Sequence, residues 1–118
     1  MDYLNNLIFE EDGEIIKWKV LEIDANMVLV EFELKRNLEP NDLKTIKLPD
    51  PIRIGFSPKV VILSGKGPVW FYAFITHKYH IVRVLAIFDP RLDGAVVVES
   101  HDVNYKPGDV VRRELFYD

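Results

Sequence analysis

Val60-Val61-Ile62-Leu63-Ser64-Gly65-Lys66-Gly67-Pro68-Val69-Trp70-Phe71-Tyr72-Ala73-Phe74-Ile75 is the stretch on which the fold turns. Its first four residues are β-branched or leucine with no polar alternation, as expected of a short strand covered on both faces. Two glycines follow at once, and Pro68 is preorganised for the first position of a helix. Val69 to Ile75 is apolar nearly all round, so the helix is expected to lie buried on a sheet and against a second subunit as well. Its end is expected near His77-Lys78-Tyr79-His80, where positive charge suits a helix C-terminus.

Downstream, Ile81 to Phe88 reads as the next strand, and the strand-helix-strand order calls for a right-handed parallel crossover with Lys59 to Leu63. Asp89-Pro90-Arg91-Leu92-Asp93-Gly94 is turn chemistry, after which Ala95 to Glu99 returns antiparallel. Tyr105-Lys106-Pro107-Gly108-Asp109 is a second turn, leading to a last strand near Val110 to Phe116. Upstream, Ile16, Trp18 and Val20, then Val28, Val30, Phe32 and Leu34, recur two apart, as on the faces of paired strands. Asp24-Ala25-Asn26 between them closes a hairpin. Leu38 to Leu43 reads as a short helix opening on Pro40, and Pro49, Pro51 and Pro58 as an extended connection. Residues 1–13, ending in Glu10, Glu11 and Asp12, form an acidic N-terminal extension, and 14–118 a single domain. The expected class is α/β: a mixed sheet with an N-terminal hairpin, two helices and antiparallel C-terminal strands.

A chain of 118 residues, nearly half of them apolar, has room for one domain with a genuine core. It has no cysteine, which excludes disulfides and thiolate metal sites and leaves imidazole and oxygen as ligands. The three histidines are His77, His80 and His101. A net charge of −4 argues against a general nucleic-acid binder, so a phosphate would be held at a local site. No apolar run is long enough to cross a bilayer and the N-terminus lacks a secretion pattern, so no membrane partner and a cytoplasmic location are expected.

Three constellations carry chemistry. Ser64-Gly65-Lys66-Gly67-Pro68 places glycines between a buried strand and a helix N-terminus, where backbone N–H groups approach an anion with no Cβ in the way. The same residues also suit a plain strand-to-helix turn. The spacing is too short for a Walker loop, and no Ser or Thr follows Lys66. Asp89-Pro90-Arg91 ends the strand after the helix, so it shares one end of the sheet with the Ser64 loop, and Arg91 offers a fork for a phosphate. A hairpin turn with an Asp-Arg surface pair is its plain alternative. His80 and His101 fall at the opposite end, where they would share a metal or phosphate, or serve as exposed and helix-capping histidines. At strand rise, His80 and Asp89 lie roughly 20 Å or more apart, so a site using both must be shared between molecules stacked head to tail.

Ile62 to Trp70, His77-Lys78-Tyr79-His80, Asp89-Pro90-Arg91-Leu92 and Val97-Val98-Glu99-Ser100-His101 together strongly resemble the CRISPR-associated family often written Csx-three, in order and spacing over about residues 15 to 111. The resemblance implies a compact CRISPR-associated Rossmann-like domain forming a homodimer. It implies a type III accessory ring nuclease, a metal-dependent phosphodiesterase that linearises cyclic tetraadenylate with manganese and switches off that signal. It also implies an active site spanning two dimers, stacked into a tetramer or filament with ligand. Carried over by position, the family's serine-glycine loop falls on Ser64 and Gly65, its histidine on His80, and its aspartate and arginine on Asp89 and Arg91. Asp93 is an extra residue against the family pattern.

The expected mechanism puts substrate on Ser64, Gly65, Lys66, Gly67 and Arg91, with His80, Asp89 and Arg91 catalytic. His80 is either acid or base at the phosphate, or with His101 a manganese ligand. The alternatives are a non-catalytic cyclic oligoadenylate binding module, and a manganese-dependent 3′-end deadenylase acting on short adenylate RNA. Trp70, Phe71, Tyr72 and Tyr79 are the aromatics placed to stack a base wherever the core leaves them uncovered.

Overall fold

Alternating burial builds the first half of the sheet. In β2 (Ile16–Asp24) and β3 (Met27–Leu34), Ile16 faces Leu34, Trp18 faces Phe32 and Val20 faces Val30 across an antiparallel ladder. The Asp24 side chain accepts the Asn26 N–H at 2.7 Å and tightens the turn, so the expected hairpin is present. The structure is a computed structural model and describes residues 6–117. Within the stretch read as an acidic extension, β1 (Leu7–Asp12) adds an outer strand antiparallel to β2. A register shift between Leu7 and Phe9 sends Leu7 to one face of the sheet and Phe9 to the other. Its acidic residues meet cations: Glu10 lies 3.6 Å from Lys17, and Asp12 pairs with Lys35. Charged edges of this kind also discourage pairing with another sheet.

β4 (Val60–Ser64) is buried along its whole length and runs parallel to both β3 and β5 (Val84–Asp89). β6 (Gly94–Ser100) and β7 (Val110–Arg112) complete the sheet antiparallel, and the strands lie in chain order from β1 to β7. β5 begins three residues later than expected. Tyr79 to Arg83 form a turn, with the Val82 N–H on the Tyr79 carbonyl at 3.1 Å and Val82 buried in the helix-side core. The last strand is also shorter. After Arg112 the chain bends into a 3-10 turn, Arg113–Leu115, which tucks Phe116 under the sheet.

The helices are α1 (Pro51–Ile54) and α2 (Val69–Lys78). α1 replaces part of the expected extended connection: Asp50 accepts the Ile52 and Arg53 N–H groups, Pro51 occupies the first turn, and Gly55 ends it at φ 100°. The short helix expected over Leu38 to Leu43 is a 3-10 turn, Pro40–Lys44, held by reciprocal contacts between Glu39 and Asp42. Pro68 sits one place before the helix, at the N-cap, with extended backbone.

Because β3, β4 and β5 advance in one direction, right-handed crossovers put both connections on the same face. That face carries the larger core, in which Trp18, Val30, Phe32, Val61 and Leu63 meet Phe56, Phe71, Ile75 and Tyr79. The other face is closed by Phe116, with Tyr105 and Tyr117 partly buried beside it, over Leu29, Ile62, Ala86 and Val97. The strand order never reverses, so the crevice at the switch point of a doubly wound sheet is not available here. α2 buries Phe71 and Ile75, while Val69 is 84% exposed and leaves an apolar residue outward. Among the described residues no helix is long and apolar enough to cross a membrane.

Candidate functional site

The parallel arrangement brings the C-terminal ends of β3, β4 and β5 together, and with them Leu34, Ser64 and Asp89. A cavity of about 390 Å³ opens there between Glu33, Ser64, Gly65, Lys66, Phe88 and Pro90. A second, of about 650 Å³, lies between the chain after β3 and the start of α2 and also has Lys66 in its wall. Lys66 is exposed between the two.

Ser64 is buried, 8% exposed. Its Oγ lies 2.9 Å from the Tyr117 hydroxyl, which lies 2.6 Å from Glu31 Oε2. A carboxylate only accepts, so Tyr117 donates to Glu31 and the Ser64 hydroxyl donates to Tyr117. The serine oxygen therefore keeps its lone pairs for the cavity side. Sequence reasoning missed both partners: Tyr117 is 53 positions from Ser64 and Glu31 reads as an outward strand position.

The glycines have a reason the sequence did not show. Neither Gly65 nor Gly67 takes a positive φ, so the turn itself does not require them. A Cβ on Gly65 would come within 2.6 Å of the Phe32 ring, whereas one on Gly67 would meet its nearest neighbour at 3.3 Å. Gly65 is thus needed for the close passage of the loop over Phe32. Tyr72, from α2, donates its hydroxyl to the Gly65 carbonyl and ties the loop to the helix.

Asp89, the last residue of β5, accepts the Arg91 N–H at 3.0 Å and so caps the 3-10 turn Pro90–Leu92. Arg91 folds back on the same carboxylate, Nη2 to Oδ2 at 3.0 Å and Nε to Oδ1 at 3.3 Å. The guanidinium holds the Asp89 carboxyl below its ordinary pKa. The arginine is nevertheless 87% exposed, and an ion pair in water is worth little, so a phosphate can replace the carboxylate at small cost. The extra residue, Asp93, takes the left-handed conformation at φ 53° and lets Gly94 pair back onto Asp89.

His80 and His101 lie at the other end, where β5 begins and β6 ends; β5 alone separates them from Asp89 by about 16 Å. His80 Nδ1 is 3.1 Å from the His77 carbonyl, and His101 Nε2 is 2.6 Å from the His80 carbonyl. Each ring has one nitrogen committed to backbone. A carbonyl on Nδ1 selects the tautomer whose Nε2 carries a lone pair, the form that ligates metal or takes a proton. The donor set therefore fits a cation at His80 Nε2. Among the described residues no group of three or more His, Asp or Glu side chains converges, so other ligands would come from a facing molecule or water. His77 stacks on His80 at 6.3 Å.

Of the four candidate base-stacking aromatics, Phe71 and Tyr79 are buried, and Tyr72 packs on Phe32 at 5.7 Å. Trp70 is half-buried and lines the second cavity.

Comparison with known proteins places the chain in a family. An uncharacterized protein of Aquifex aeolicus (strain VF5) is 47% identical over 109 residues, 92% of this chain and 98% of the relative. The profile of the family described as CRISPR-associated protein (Cas_csx3) matches residues 31–112, which run from the second half of β3 to the end of β7 and include the Ser64 loop, both histidines at the far end and the Asp89–Arg91 turn. The chain belongs to the family of CRISPR-associated protein (Cas_csx3).

Proposed function

We propose that this protein is a ring nuclease that linearises cyclic tetraadenylate in a site shared between two stacked dimers. The observation that carries the reading is a separation. An anion-binding end, with Ser64 and Lys66 in the wall of one cavity and Arg91 on the adjoining turn after β5, and a proton-transfer end, with His80 just before β5, are separated by the length of that strand, about 16 Å. A single subunit cannot bring both to one phosphate, but head-to-tail stacking of identical units can.

In this reading Lys66, the backbone around Gly65 and Gly67, and the Arg91 fork hold the phosphates, with Asp89 orienting the fork until substrate takes it over. The Ser64 hydroxyl turns its proton from Tyr117 to a phosphoryl oxygen. His80 of the facing molecule moves a proton at the scissile phosphate through Nε2. Alternatively, the same Nε2 together with His101 would hold manganese in place of moving a proton, and the bound ion would supply charge stabilisation at the phosphoryl oxygens.

The test is to incubate the purified protein with cyclic tetraadenylate, with manganese or with chelator, over a range of enzyme concentrations. Products are followed by chromatography and mass. Metal-dependent linearisation whose rate rises faster than linearly with enzyme is the expected result. Tight binding without cleavage would instead indicate a binding module, and faster release of adenylate from linear 3′ ends a deadenylase.

A further inference from the structure

The second cavity, about 650 Å³, is not used by any step above. It falls in the size range of small-ligand sites, and its wall combines apolar residues and an indole with polar and cationic side chains. One wall is the Trp70 indole, half-buried, at the start of α2. Trp18, Phe71 and Tyr72 are each in ring-to-ring contact with an aromatic neighbour, whereas among the described residues Trp70 is not. Facing it, the chain after β3 presents the exposed Asn37. Its backbone carbonyl is fixed by Arg36 Nη1 at 2.8 Å, and Arg36 is itself clamped on Asp42 at 2.8 and 2.9 Å. Asn37 thus stands on an anchored segment.

We infer that this cavity is a nucleobase subsite: Trp70 stacks the base, Asn37 reads its edge, and Lys66 bridges base and phosphate. Lys66 lines both cavities, so a nucleotide with its phosphate at the Ser64 loop has its base within reach of Trp70. Indole stacks on any base, and a side-chain amide pairs in two-point fashion with adenine, offering an acceptor for N6–H and a donor for a ring nitrogen. Lys35 and Arg36 add little net charge because Asp12 and Asp42 pair with them, which suits a neutral base better than a second phosphate. The assignment to adenine rests on the proposed function; the stacking site rests on the cavity.

The test uses the full chain with adenosine and uridine 5′-monophosphates, inorganic phosphate and cyclic tetraadenylate as probes. Trp18 is fully buried, so a saturable quench of tryptophan emission by a nucleotide reports on Trp70. Adenosine monophosphate should quench and inorganic phosphate should not. By calorimetry, Trp70→Leu should weaken the adenosine monophosphate and ring complexes roughly tenfold and leave phosphate binding unchanged. Trp70→Phe, which keeps a ring, should recover part of that loss, and thermal melting checks that both variants fold. Asn37→Ala should narrow the preference for adenosine over uridine monophosphate. No quench, or equal nucleotide affinity in Trp70→Leu and the wild type, overturns the subsite. In that event continued linearisation of the ring leaves the proposed function standing, whereas a ring neither bound nor cut removes both. A quench by adenosine monophosphate lost in Trp70→Leu supports the subsite even where the ring is not cleaved.

Discussion

Replacing Gly65 with alanine puts a methyl carbon 2.6 Å from Phe32 Cδ1 and Cε1 and 2.7 Å from Cγ. These are not the loose end of a side chain. Phe32 is 5% exposed and wedged between Trp18 at 5.7 Å, Phe71 at 5.1 Å and Tyr72 at 5.7 Å, so its ring has nowhere to turn. Overpacking of this kind costs about 1–3 kcal/mol. Against that, alanine at a negative φ stiffens the unfolded chain and returns about 0.4–1 kcal/mol. The net expectation for Gly65→Ala is a loss of about 1–2 kcal/mol, or roughly 4–8 °C in melting temperature for a chain of this size. Gly67→Ala is the control. Its nearest contact is 3.3 Å, so the entropy gain and the mild crowding roughly cancel. Urea denaturation of both variants, with Phe32→Leu and the Gly65→Ala/Phe32→Leu double variant, reads the coupling directly. The double variant should be more stable than the sum of the singles predicts, by about 1 kcal/mol. Gly65→Ala as stable as the wild type, or perfect additivity with Phe32→Leu, would refute the claim that Phe32 dictates the glycine.

Tyr79 is buried, its phenol pushed upward in pKa by that burial, and its hydroxyl donates to the Pro49 carbonyl at 2.7 Å. Tyr79→Phe strands that carbonyl and should cost about 1–2 kcal/mol in urea denaturation; no measurable loss would mean Pro49 has another donor. Tyr117→Phe keeps the ring against Phe88 but removes the hydroxyl that joins Ser64 to Glu31. It should lose about 1 kcal/mol, and a Glu31→Gln/Tyr117→Phe cycle should be non-additive if the three groups act as one chain. The Arg36 contact holds the Asp42 carboxyl down to about 2, from 3.8. Because the folded value is the lower one, this group's contribution is complete above pH 3.8 and is lost as the pH falls through about 2. The melting temperature of the wild type should therefore fall more steeply over that window than that of Asp42→Asn; parallel curves would deny the linkage.

Period-two patterning made the hairpin of β2 and β3 legible, since Ile16, Trp18 and Val20 had to share a face with Val30 and Phe32. The unbroken apolar run at Val60 likewise announced a strand covered on both sides, and the Ser64 and Arg91 loops fell at one end of the sheet because strand-helix-strand order leaves no other choice. β1 was not legible, because an edge strand satisfied by charge pairs with Lys17 and Lys35 looks in sequence like a solvated acidic tail. α1 was hidden by its prolines, which suit an extended segment as well as a capped single turn.

Local order and residue chemistry, then, were enough to determine the α/β class, the parallel core and which loops meet at the C-terminal end of the parallel strands. Only the tertiary structure decided why Gly65 is glycine, what holds the Ser64 hydroxyl, and which aromatic is left facing a cavity. Each of those depends on contacts between residues far apart in the chain, Phe32 with Gly65 and Tyr117 with Ser64, and on how the core competes for apolar rings. Propensity and spacing act over a few residues. Packing and hydrogen-bond satisfaction act across the whole domain, so they become visible only once the chain has folded back on itself.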